Sequence, residues 1–108
     1  MNTKKLLNLI NGETTSAKDM IGVEETIIFA DVINDENETP VAYFITEDHR
    51  VISGIARKII RACKMLVKLN KPTENNPVAI RFVEKPYNDE GDTALTFDIV
   101  ESEVVENE

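Results

Sequence analysis

Apolar residues in this chain recur with two different periods, and the change of period marks out its elements. Residues 25–34 (ETIIFADVIN), 41–46 (VAYFIT) and 51–55 (VISGI) are short runs rich in β-branched and aromatic side chains with polar breaks between them, the pattern of strands. The breaks are NDENETP at 34–40, closed by a proline, and EDHR at 47–50, so these strands form a hairpin or meander. Residues 56–69 then switch to the helical period. At about 100° per residue, Ala56, Ile59, Ile60, Ala62, Cys63, Met65, Leu66, Val67 and Leu69 share one broad face, which predicts a deeply buried amphipathic helix. Asn70 and Pro72 mark its end. VAIRFVEK at 78–85 and TALTFDIV at 93–100 alternate as strands and are separated by the turn PYNDEGD.

The predicted class is therefore mainly β with one helix. Five strands with a helix between the third and fourth is the element order of the OB-fold, a small Greek-key barrel that binds oligonucleotides and oligosaccharides. A chain of 108 residues supports one such core. Residues 21–100 form the domain in this reading. Residues 1–20 are an N-terminal arm in which Ser16 to Asp19 start a brief helical turn leading to Met20 and Ile21, and residues 101–108 are an acidic C-terminal tail.

Charge changes the picture, because it is sorted along the chain. The formal net charge is -8, yet residues 50–71 hold seven basic side chains and no acidic one, leaving -15 for the rest. Arg57, Arg61, Lys64, Lys68 and Lys71 line up as a stripe on the predicted helix, and Lys58 alone falls on its apolar side. Salt screens charges beyond about 8–10 Å, so a basic face can meet an anion while acidic ends point elsewhere. Cations stacked without an acidic partner at i,i+4 repel one another and favour such an anion. It is either a nucleic-acid backbone or the chain's own tail, whose residues 98–108 carry five carboxylates.

Several classes of chemistry are excluded or disfavoured. One cysteine, Cys63, and one histidine, His49, provide neither a disulfide nor a zinc set. Cys63 lies on the apolar face of the helix and reads as a small core residue. The four glycines form no phosphate-cradling motif, and the carboxylates sit in loops and termini without a partner base. No enzyme, cofactor or metal is expected. No apolar run approaches the roughly 20 residues of a membrane-spanning helix, and MNTKKLLNLINGE lacks the features of a secretory leader, so the expected location is cytoplasmic.

The succession SAKDMIG, a strand ending in VIND, an acidic loop, VAYFITEDHRVISGIARKIIRACKMLVKL, then VAIRFVEK and TALTFDIV, resembles the small single-stranded DNA-binding proteins encoded by phages of Gram-positive bacteria. The likeness spans roughly residues 16–100 and is one of layout. Asp48-His49 stands at that family's acidic-glycine turn, and Ile52 stands at an aromatic position. The resemblance implies sequence-independent binding of single-stranded DNA in phage replication or recombination, within the host-cell cytoplasm. It also implies a tail that recruits replication proteins or competes with DNA for the basic surface.

Two surfaces are candidates for that binding. One is the strand face, where Tyr43 points outward if Phe44 is core, with Arg50, Arg81 and Lys85 meeting phosphate and Tyr87 in its turn as a second stacking platform. The other is the helix, through Arg57, Lys58, Arg61, Lys64 and Lys68. Two further readings remain open: an acidic phage accessory protein that binds a host protein, with DNA mimicry as its mode, and a structural virion or assembly protein that self-associates. Homo-oligomerisation through a strand edge or the apolar LLNLI of the arm is compatible with any of them.

Overall fold

The computed structural model of the protein describes residues 12–86 and 88–100. Strand β1 (Thr15–Ser16) leads into a 3₁₀ turn (Ala17–Met20). Then follow β2 (Glu24–Asn34), β3 (Pro40–Thr46), β4 (Val51–Gly54), helix α1 (Arg57–Asn70), β5 (Val78–Pro86) and β6 (Thr93–Ile99). The five longer strands and the helix stand where the two hydrophobic periods put them. The sixth strand, β1, was not expected, so the helix falls between the fourth and fifth strands.

The strands form one sheet in the order β1-β4-β3-β2-β5-β6, antiparallel except for the β1–β4 pair. Its curl follows from the chain path. Ser16 pairs with β4, whereas Ile21 already bridges Phe82 on β5. In a flat sheet β4 and β5 lie about 14 Å apart, three strand spacings, whereas the four residues of a 3₁₀ turn rise only about 8 Å. The sheet closes the difference by curling into an OB-like half-barrel. Gly22, at φ +85, reverses the chain into β2 in a conformation that a side chain disfavours.

The inside of the curl is filled by Phe44, Phe82 and Phe97, three rings in edge-to-face contact at 5.4 to 6.2 Å, with Ile27, Ile52 and Ile80 around them. Helix α1 covers this cluster with Ile59, Ile60, Cys63 and Leu66, and the 3₁₀ turn adds Ala17 and Met20. Part of the segment read from the sequence as an arm is thus built into the fold, Thr15 and Ser16 by pairing with β4 and Ala17 and Met20 by joining the core, while residues 1–11 and 101–108 lie outside the described residues. Gly54 makes the close approach possible. A Cβ there would stand 3.0 and 3.2 Å from Ile59 and 3.3 Å from Ala17.

Both hairpins that frame β3 close on a non-glycine residue in the left-handed region, Glu38 at φ 61 and His49 at φ 65. A side chain at the start of each loop holds it. The Asp35 carboxylate accepts from the Asn37 and Thr39 amides. In the second loop the Thr46 hydroxyl accepts from the Arg50 amide at 3.0 Å and donates to Asp48. That hydroxyl, followed by the Arg50 guanidinium, holds the Asp48 carboxyl below its ordinary value.

Candidate nucleic-acid interface

The structure separates the basic residues into two populations. On the sheet, counting the β3–β4 turn, every cation singled out from the sequence is engaged by a carboxylate. Arg50 donates from Nη2 to Glu25 at 2.7 Å and from Nε to Asp48 at 2.9 Å. The Glu25 contact, then Asp48, holds the guanidinium even more firmly protonated than usual. Arg81 pairs with Glu24 at 3.1 Å, and Lys85 with Asp98 at 2.5 Å. Sheet register accounts for one of these pairs, since Glu24 is the residue directly opposite Arg81.

Helix α1 presents the other population. Arg57, Lys58, Arg61, Lys64 and Lys68 are all exposed, and none of them meets an acidic side chain among the described residues. Spacings of four, three and four residues put Arg57, Arg61, Lys64 and Lys68 on one line along the helix. The start of the helix adds to this field. Ala56 occupies the N-cap without a side-chain hydrogen bond, and the first turn holds no acidic residue. Arg57 and Lys58 therefore sit at the positive end of the helix dipole, where carboxylates are usually favoured. Helix stability alone would select the opposite charge, so the arrangement suits an external anion.

Beside the cations lies an apolar groove that the sequence pattern concealed. Met65 and Leu69, placed by periodicity on the buried face, are 53 and 72 % exposed. The correction has a geometric cause: both lie about 100° or more from the middle of the buried stripe, farther round the helix than one curled sheet can cover. With Ile99, itself half-exposed at the end of β6, they edge a shallow groove of about 280 Å³ floored by Ala62, Leu66 and Phe97. Lys58 belongs to this flank, since its helical position falls between those of Met65 and Leu69. Cations for phosphates and an apolar floor for bases are thus adjacent.

Tyr43 faces outward, as the alternation with Phe44 requires, but it is half-buried against Ile28, Ile45 and Val51 instead of standing free. Tyr87 lies outside the described residues. Cys63 is fully buried beneath the helix, and burial, with a smaller contribution from Asp31, pushes its thiol up to about 12. It is an inert core residue at neutral pH. Among the described residues no helix is long and apolar enough to cross a membrane. The chain matches no protein-family model, no curated protein and no solved structure, so its function is read from this geometry.

Proposed function

We propose that the protein binds single-stranded DNA without strong sequence preference, along the cationic flank of α1, and performs no catalysis. The observation that carries the reading is the set of five exposed helix cations that no described carboxylate engages, set beside strand cations that are all engaged. The neighbouring groove of Met65, Leu69 and Ile99 supports it, because it offers bases an apolar surface where phosphates meet cations. The resemblance of its sequence layout to phage single-stranded DNA-binding proteins supports a role in phage replication or recombination, in the host-cell cytoplasm. The acidic tail then serves replication proteins or competes for the ridge.

Fluorescence anisotropy of a labelled oligo(dT), titrated at low and moderate salt with the intact chain and with a variant ending at Val100, tests this. Five phosphate contacts on a single strand give a slope of log affinity against log salt of about -3.5. Binding with such a slope, tightened by truncation, is expected. No binding by either form at low salt would refute the proposal.

One observation favours a second reading. The loops after β2 and β5 expose Asp35, Glu36, Glu38, Asp89, Glu90 and Asp92, and a surface with that charge repels DNA and suits a basic protein. An acidic accessory protein that binds a host protein by mimicking DNA would show no oligonucleotide affinity at any salt.

A further inference from the structure

Strand β3 is withdrawn from solvent on both faces, yet only one face has a described cover. Ala42 and Phe44 enter the inner cluster beneath α1. Ile45 lies on the opposite face, is 0 % exposed, and joins Ile28 and Val51 in a second buried cluster edged by the half-buried Phe29 and Tyr43. The near-continuous apolar run VAYFIT fits a strand packed on both sides. The two described elements that pack against the sheet, α1 and the 3₁₀ turn, both join the inner cluster, and neither lies over the outer one.

We propose that this outer face is the docking site of the chain's own N-terminal segment, residues 1–11, held there by Leu6, Leu7, Leu9 and Ile10. The attachment point favours it. Because β1 runs parallel to β4 with Thr15 opposite Ile52, the residues before it continue toward Val51. Gly12 to Thr15 and His49 to Val51 line one cleft, so the segment starts beside a member of the outer cluster. Its reach suffices: eleven residues span about 16 Å as a helix and about 36 Å extended, and crossing β4, β3 and β2 takes about 10 Å. Charge agrees as well. Lys4 and Lys5 precede the apolar residues, and Asp31 opposite Tyr43 and Glu47 in the turn leading to Val51 offer them carboxylates, whereas Asp48 in that turn is already taken by Arg50. The C-terminal tail fits less well, since it is acidic and leaves from the β5–β6 side, where the Val100 amide donates to Ala79.

The docked segment occupies the strand face on which an OB-fold receives oligonucleotides. The inference does not rest on the nucleic-acid reading, because it concerns contacts within one chain. Its test is a spin label on Lys5→Cys in the full-length chain carrying Cys63→Ala, read as paramagnetic loss of amide peaks. Loss at Phe29, Tyr43, Ile45 and Val51 that survives dilution into unlabelled protein is expected. Loss confined to Arg61, Met65 and Leu69, loss at no described residue, or loss only between separately labelled chains overturns the proposal, the last by making the occupant a second copy. A second readout is tyrosine nitration of full-length Leu7→Asp/Ile10→Asp. Modification of Tyr43 is expected to rise several-fold over the unsubstituted chain, and unchanged nitration contradicts the docking.

Discussion

Arg50, Arg81 and Lys85 on the strands, and Arg57, Arg61, Lys64 and Lys68 on the helix, are similar side chains in opposite circumstances. The strand cations are held by Glu25, Asp48, Glu24 and Asp98, while the helix cations meet no described carboxylate. A sheet brings residues distant in sequence face to face, so an acidic residue on a neighbouring strand can neutralise a basic one. A helix surface is decided by its own i,i+3 and i,i+4 neighbours, and 57–71 contains no acid to serve. Counting basic residues therefore overstates the strand face and understates the helix. What singles out the helix as the candidate anion-binding surface is that its cations have no acidic partner among the described residues.

The largest expected effect breaks the comparison on the helix side. Arg61→Glu/Lys64→Glu/Lys68→Glu should weaken oligo(dT) binding by about 100-fold at low salt, because it removes three phosphate contacts and adds repulsion. By the same anisotropy titration, Arg50→Gln/Arg81→Gln/Lys85→Gln should stay within about threefold of the unsubstituted chain. Equal losses in both variants would erase the distinction.

Packing of the helix on the sheet gives the next effect. Gly54→Ala forces Ile59 and Ala17 apart from their present positions, and urea unfolding should show a loss of about 1–3 kcal/mol. Ala56→Asp supplies the missing cap at the start of α1 and should raise stability by about 1 kcal/mol. It also places an anion beside Arg57 and Lys58, so affinity for oligo(dT) should fall as stability rises. That opposition distinguishes a binding ridge from a merely solvated one.

The smallest effect concerns the engaged cations. The Asp48 carboxyl titrates below its ordinary 3.8 in the folded protein, so its ionised form is the one the fold favours. Its contribution to stability is complete above the ordinary carboxylate range and is lost as pH falls through the folded value. The difference in urea midpoint between the unsubstituted chain and Asp48→Asn should therefore be largest near neutrality and shrink as pH falls through the folded value. A difference that grew on acidification would contradict the hydrogen-bonded turn.

Much of this fold was legible because its longer elements carry clear periods. The strands and α1 lie within about a residue of the sequence boundaries, and Pro72 and Asn70 punctuate the helix as their chemistry requires. β1 was not legible: two residues carry no period, and their partner lies on β4, far along the chain. The cationic stripe could be read from helical geometry, but the engagement of Arg81 depends on β2–β5 register, which no local pattern encodes. Exposure of Met65 and Leu69 was hidden for a related reason. Periodicity tells which side chains share a face, and the width of the opposing sheet decides how many of them it covers.

The most direct test of the central claim is amide chemical-shift mapping of the full chain with a short oligo(dT) at low salt. Shifts along Arg57 to Leu69 and at Ile99 are expected, with the outer face at Tyr43 and Ile45 little changed. Shifts centred on Tyr43 and the β2–β3 loop, with α1 unmoved, would contradict that claim.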